Sequence, residues 1–231
     1  MGDSVIKLTV DNKEIGAREG TNLLQACLEN DIYIPNLCYL EDMKAPPASC
    51  RLCFVEMEGE KKPVASCTLQ VKAGMTIRTD TPSVRKLQRA ALQLLLSAHH
   101  VDCGPCPANK KCALQHMAKF LKVGLKPRHL EKAIMVSETD EDHPCLVFHP
   151  DRCVLCGKCV HVCRRRQEKP HLTFAKRGLD TTITFYGERS LVTTPCETCF
   201  ACVEICPVAA ITLKKGKERA QGSRLKKLNY R

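Results

Sequence analysis

The 231-residue chain carries a formal charge of +11 and has no Trp, six Phe and four Tyr, which argues against a core built on large aromatic side chains. It also holds 17 cysteines, yet its opening MGDSVIKLTV has neither the basic, apolar and cleavage-site succession of a secretory signal nor a twin arginine, so a secreted disulfide framework is not expected. No apolar run approaches the about 18 residues of a membrane span. The expectation is a soluble, cytoplasmic protein whose reduced thiols bind metal.

In chain order, SVIKLTV alternates like a strand and DNKE supplies a turn. TNLLQACLEN reads as a short helix with Thr21 as N-cap and Leu24, Cys27 and Leu28 on one face. FVEMEGEKKPVAS reads as two strands about Gly59, and GMTIRTD as one more. Residues 1–80 are therefore expected to form a small mixed sheet with one helix across it. TPSVRKLQRAALQLLLSA follows as an amphipathic helix, with Thr81 as cap and Pro82 at its first position. Val84, Leu87, Ala91, Leu94, Leu95 and Ala98 share its apolar face, and it opens a small helical region over 81–122. Residues 123–143 lack a strong period and read as a linker. Residues 144–215 contain an internal repeat, in which CVLCGKCVHVC (Cys153 to Cys163) recurs as CETCFACVEIC (Cys196 to Cys206), offset by 43 residues. GLDTTITFYGERSLVTT between the copies reads as an inserted hairpin or loop. The last stretch, 216–231, reads as a basic extended tail.

The cysteine spacings carry the chemistry. Each repeat is C-x2-C-x2-C-x3-C, which wraps three cysteines around three corners of a [4Fe–4S] cube and sends the fourth to the neighbouring cube. One set is then Cys153, Cys156 and Cys159 with Cys206, and the other is Cys196, Cys199 and Cys202 with Cys163. Zinc prefers two separated C-x2-C arms, which a triple run fits badly. The first copy ends in Cys-Arg where the second ends in Cys-Pro. Near the N-terminus, Cys38, Cys50, Cys53 and Cys67 follow C-x11-C-x2-C-x13-C. The central C-x2-C and the late fourth ligand fit a [2Fe–2S] centre better than a zinc knuckle.

A third motif, HHVDCGPCPANKKC, supplies three cysteines, Cys103, Cys106 and Cys112. A cube needs a fourth ligand. Cys27 falls on the buried face of the first helix, and Cys145 is expected to pack near the ferredoxin repeats. The nearest spare ligand is a histidine, and His99 gives H-x3-C-x2-C-x5-C. The alternative is that His99 only caps the helix C-terminus, where a cation is favoured.

The order of these motifs, with CYLEDMKAPPASCRLCFVEMEG first, resembles the N-terminal region of the large iron–sulfur subunit of respiratory complex I and the N-terminal modules of [FeFe]-hydrogenases. In length and layout it is most similar to the small iron–sulfur (diaphorase) subunit of NAD-linked hydrogenases and formate dehydrogenases, over about residues 4–213. The resemblance implies an α+β chain of three parts: a β-grasp [2Fe–2S] domain, a small helical domain with a cube held by His99 and three cysteines, and a bacterial-type two-[4Fe–4S] ferredoxin-like domain. It implies a flavin- and NAD(P)-binding partner and a hydrogenase or formate dehydrogenase catalytic subunit. The usual Gly-Ala before Cys-Arg is Ala48-Ser49 here, a departure that touches the backbone and no ligand.

What the sequence lacks fits that expectation. It shows no G-x-G-x-x-G, no P-loop and no nucleophile–base constellation, so a relay without a substrate site is expected. Fifteen ligating thiolates and four cluster cores bring the charge of the loaded chain to about +4, so the basic excess is weak support for a nucleic-acid partner. A free-standing carrier is the other alternative, although a shuttle needs fewer clusters. His99 in place of a thiolate removes one negative charge from the middle cube and should ease its reduction. Gly104 and Gly157 can bring backbone N–H groups close to sulfur.

Overall fold

Asp11 and Asn12 both take left-handed backbone conformations, φ 49° and 66°, the geometry of a tight two-residue hairpin. They join β1 (Val5–Val10) to β2 (Lys13–Arg18), paired antiparallel with Leu8 opposite Ile15. The period of two buries Leu8, Val10, Ile15 and Ala17 on one face. This computed structural model describes residues 5–127, 130, 138–168, 170–186, 196 and 199–216. Much of the expected linker, part of the insertion before Cys196 and nearly all of the basic tail lie outside them.

The described residues form two compact units. One runs to Gln93 and includes Lys119–Val123; the other holds Leu94–Ala118 and the chain from Gly124 onward. The expected helical region 81–122 is thus shared between them. In the first unit, β3 (Phe54–Met57), β4 (Val64–Ala65) and β5 (Thr76–Arg78) complete a five-stranded sheet in the order β2-β1-β5-β3-β4. β5 runs parallel to β1, and the other pairs are antiparallel. Helix α1 (Leu23–Glu29) adds Leu23, Leu24, Ala26 and Cys27 to the same core as Val55 and Ile77. A small mixed sheet with one helix was the expectation, and it is found. The cap is one residue later than expected: Asn22, not Thr21, accepts from the Leu24 and Gln25 amides.

Helix α2 (Pro82–Ser97) begins where expected, with Thr81 Oγ1 accepting from Val84 N. Its buried face is rotated from the expected one. Val84, Gln88, Ala91, Leu92 and Leu96 are buried, whereas Leu94 is 62% exposed and Leu87 lies at the surface. The cause is polar: Gln88 is drawn inside because its amide donates to the Phe54 carbonyl at 3.2 Å, a pairing that hydropathy does not register.

In the second unit, β6 (Leu146–Phe148) pairs antiparallel with β9 (Ile211–Leu213), and β7 (Leu172–Ala175) with β8 (Thr182–Phe185). Each repeat sends its cysteine loop into a helix, α4 (Lys158–Arg166) and α5 (Ala201–Ile205). Helix α3 (Ala113–Leu121) follows the middle motif directly. No helix among the described residues is long and apolar enough to cross a membrane.

Candidate metal centres

The N-terminal thiols meet in two pairs. The Cys38 and Cys50 sulfurs lie 3.4 Å apart. Sharing the Cys50 S–H holds Cys38 down at about 5 as the thiolate, while the same contact and burial push Cys50 up. Contact with Cys67 likewise lowers Cys53 to about 7, and Cys67 rises. The backbone around them is tied down. Ser66 donates from both N and Oγ to the Cys53 carbonyl, at 2.9 and 2.8 Å. Asn22, already the cap of α1, donates from Nδ2 to the Cys67 carbonyl at 2.6 Å. Ala48, in the place of the usual glycine, is held at φ 49°.

In the middle motif, Cys103 and Cys106 stand close enough to Cys112 to disfavour its thiolate, after burial, the larger cause. The loop is closed by Gln115, which accepts from Lys110 N at 2.8 Å and donates to Asn109 at 3.0 Å. His99 is buried, and its Nδ1 lies 2.8 Å from the Arg152 carbonyl oxygen. Burial lowers its pKa and keeps the ring neutral. The groups that act on His99 are Arg152, Asp151 and His100, not the three cysteines. The next residue, His100, donates its amide to the Asp151 carbonyl at 2.7 Å, so the chain here lies along the start of the first ferredoxin loop.

Cysteines of both repeats line two cavities in the second unit. One cavity, about 330 Å³ of atom-free space partly open to solvent, is lined by Cys153, Cys156, Cys159 and Cys206. A second, about 360 Å³, is lined by Cys163, Cys196, Cys199 and Cys202. Each therefore takes three thiols from one repeat and one from the other. Burial, then the neighbouring thiols of the same set, raises Cys153 and Cys196 to about 12 each. Such thiols ionise only when something positive takes up the charge, as a metal does. Among the described residues, no group of three or more His, Cys, Asp or Glu is arranged to hold a metal ion directly. The donor chemistry that fits is a cluster filling each cavity, with soft thiolates at its walls.

Among the described residues, backbone amides in the second unit point at cysteine sulfur, including Leu155 N to Cys153 at 3.4 Å, His171 N to Cys163 at 3.3 Å and Ala210 N to Cys206 at 3.2 Å. The sequence pointed to Gly104 and Gly157 instead. Gly157 serves the backbone conformation, standing at φ 73° before α4, where a Cβ would come 3.3 Å from the Phe174 ring. The equivalent residue 43 positions on, Phe200, holds the same left-handed region at φ 44° before α5. Only the repeat offset could have signalled this. Cys27 and Cys145 are fully buried, as expected of packing residues. Two further residues carry no sequence signal: Lys158, wholly buried at the start of α4, and His143, whose Nδ1 accepts from the Cys145 and Leu146 amides at 3.1 Å each.

Comparison with known proteins gives three family matches in chain order. Residues 3–82 match a 2Fe-2S iron–sulfur cluster binding domain, 88–125 the NADH-ubiquinone oxidoreductase-G iron–sulfur binding region, and 145–207 a 4Fe-4S dicluster domain. The chain is 32% identical to the second G-type subunit of NADH-quinone oxidoreductase of Rhizobium meliloti (strain 1021) over 207 residues, 90% of this chain and 24% of that protein. It is 31% identical to NADP-reducing hydrogenase subunit HndD of Solidesulfovibrio fructosivorans over 212 residues, 90% of this chain and 36% of that one. It therefore spans about a quarter to a third of the length of these relatives. Among solved structures, it is similar to a chain of an NAD+-reducing [NiFe]-hydrogenase in the H2-reduced state, with a TM-score of 0.80 and 27% identity over 92% of this chain and 88% of the other.

Proposed function

We propose that this chain, which carries the iron–sulfur domains typical of the G-type subunit of NADH-quinone oxidoreductase and of hydrogenase subunit HndD, is the electron-relay subunit of an NAD(P)-linked oxidoreductase. Its partners in this reading are a flavin- and NAD(P)-binding subunit and a hydrogenase or formate dehydrogenase catalytic subunit, in a cytoplasmic setting that keeps thiols reduced. It has no substrate site of its own. The observation that carries the proposal is the pair of four-cysteine cavities, each drawn from both repeats.

When bound, each cluster takes up and releases one electron at a time. The chain's own residues hold, bury and space these groups. Cys38, Cys50, Cys53 and Cys67 hold a [2Fe–2S] centre in a β-grasp domain, a reading supported by the sheet order and by the two thiol pairs. His99, Cys103, Cys106 and Cys112 hold a [4Fe–4S] cube in a small helical module. The His99 ring, neutral and oriented by the Arg152 carbonyl, supports its place in that set. Cys153, Cys156, Cys159 and Cys206 hold a second cube, and Cys163, Cys196, Cys199 and Cys202 a third. The modules fall at about 1–80, 81–122 and 144–215.

The purified chain should contain about 14 iron atoms, a count that follows from one [2Fe–2S] and three [4Fe–4S] centres. Cys27→Ala and Cys145→Ala should leave it unchanged. Cys156→Ser and Cys206→Ser should perturb the same cube, although they lie in different repeats. Iron and sulfide near zero, with zinc in their place, would sink the reading. Native purification should bring down a flavoprotein and a metal-containing catalytic subunit.

A further inference from the structure

The segment between the two cysteine repeats folds into a sheet of its own. β7 and β8 pair antiparallel with each other, in a register that sets Leu172 opposite Phe185 and Phe174 opposite Ile183. A two-stranded hairpin is marginal alone and needs something to pack against. Residues directly opposite each other share a face, as do residues two apart on one strand, so these side chains form two successive rungs on one side of the hairpin. The rungs meet different cavities. Leu172 and Phe185 both line the cavity of Cys163, Cys196, Cys199 and Cys202. Ile183 lines the cavity of Cys153, Cys156, Cys159 and Cys206. Its partner Phe174 lies over Gly157, a residue of that same wall, where a Cβ would come 3.3 Å from the ring. Leu172 and Ile183 are 2% and 3% exposed and leave little room for water, whereas Phe174 is 44% exposed. Solvent access is one of the factors that set a cluster's potential. Four thiolates around an oxidised cube sum to about −2, and reduction adds one more negative charge. Water stabilises the more negative state more strongly, so a wall that keeps water out holds the midpoint down.

We propose that the hairpin between the repeats is the water-excluding cover of both cubes, one rung for each, and that each rung sets the potential of its own cube. Ile183, with Phe174, holds down the midpoint of the cube held by Cys153, Cys156, Cys159 and Cys206. Phe185, with Leu172, holds down that of the cube held by Cys163, Cys196, Cys199 and Cys202. The inference rests on the ligand sets proposed above. These are positioning side chains: none ligates iron, and each acts by keeping water from its cube.

The test is a redox titration of the full loaded chain followed by electron paramagnetic resonance, with iron counted on each sample. In Ile183→Ala, iron should stay at about 14 per chain. The midpoint of the signal that Cys156→Ser perturbs should rise by about 59 mV or more, which corresponds to a tenfold change for a one-electron couple. Phe185→Ala should raise the signal that Cys199→Ser perturbs, and each variant should leave the other cube where it was. In D2O, pulsed resonance should find more exchangeable deuterons beside the raised cube than in the wild type. Ile183→Val and Phe185→Leu thin the wall without emptying it and should give smaller rises in the same two signals. They decide the matter if an alanine variant loses iron. Unmoved or lowered midpoints at full iron would overturn the inference and leave the proposed function standing. So would both cubes rising together in either variant, or a rise without new deuterons. A wild-type chain without cubes would overturn the proposed function and this inference together.

Discussion

The His99 ring donates from Nδ1 to the carbonyl oxygen of Arg152 across 2.8 Å. A carbonyl can only accept, so the proton sits on Nδ1 and Nε2 keeps the lone pair. Metal-ligating histidines are oriented in this way, by a partner on the nitrogen that does not face the metal. The acceptor here is main chain, so the arrangement does not depend on the Arg152 side chain. It also joins the middle motif to the residue directly before Cys153.

His99→Ala should cost about four of the about 14 iron atoms, whereas Arg152→Ala should cost none. His99→Cys should keep the iron and lower the midpoint of the middle cube, because a thiolate restores the negative charge that imidazole lacks. Full iron in His99→Ala would return the residue to the role of helix cap. A His99→Cys midpoint that stays or rises would defeat the charge argument.

Ala48 at φ 49° occupies a region that L side chains avoid at a cost of about 1–2 kcal/mol. Ala48→Gly relieves that cost and gives back about 0.4–1 kcal/mol through the freer unfolded chain. The net expectation is a gain of about 0.5–1 kcal/mol, read as a higher thermal midpoint of the [2Fe–2S] absorbance. A lower midpoint would show that the loop tolerates the alanine without strain.

Asn22 plays two parts at once, capping α1 and donating to the Cys67 carbonyl. Asn22→Ala should cost about 1–2 kcal/mol. Asn22→Asp keeps the cap but loses the donor. If the Cys67 contact matters, Asn22→Asp should lose its [2Fe–2S] absorbance in denaturant earlier than the wild type. Equal denaturant midpoints for the two would reduce Asn22 to a cap.

His143 is held at about 4, well below its ordinary 6.5, first by burial and then by His171 and Lys214, with Asp140 opposing. Its Nδ1 is occupied by two backbone donors, so protonation has little to offer it in the folded state. The folded pKa is depressed, so the unfolded chain takes the proton first as pH falls. Stability is then fully present above about pH 6.5 and lost toward about pH 4. His143→Asn preserves an acceptor for the Cys145 and Leu146 amides and cannot titrate. Between about pH 7.5 and about pH 5 the wild type should lose about 2 kcal/mol more than this variant in denaturant melts. Parallel losses would place the acid sensitivity elsewhere.

That thiols of both repeats line each cavity was legible because a C-x2-C-x2-C-x3-C run encodes the reach of a loop and the start of a helix, and little else competes with it. The hairpin at Asp11–Asn12 was legible for a similar reason, since few residues accept two left-handed conformations in succession. Legibility fails where a polar side chain goes inside. Gln88 rotates the buried face of α2, and Lys158 disappears into the second unit, because hydropathy assigns both to solvent. The cap moved from Thr21 to Asn22 because either side chain can cap. Only Asn22 also reaches the Cys67 carbonyl, 45 residues away in sequence.

The cavity walled by Cys153, Cys156, Cys159 and Cys206 has a consequence for how the chain is made. Its first three thiols leave the ribosome together, and Cys206 follows 47 residues after Cys159. At about 5–20 residues per second that interval is about 2–9 s. The other cavity, waiting on Cys202, closes its set only just before. The strands that tie this region together, Leu146–Phe148 and Ile211–Leu213, are likewise its first and last. Neither thiol set is complete until translation of the module is nearly finished, so both sites fall due for loading at almost the same moment. A chain stopped short of Cys206 would carry a row of reduced, unsheltered thiols, prone to oxidation and to capture of stray zinc.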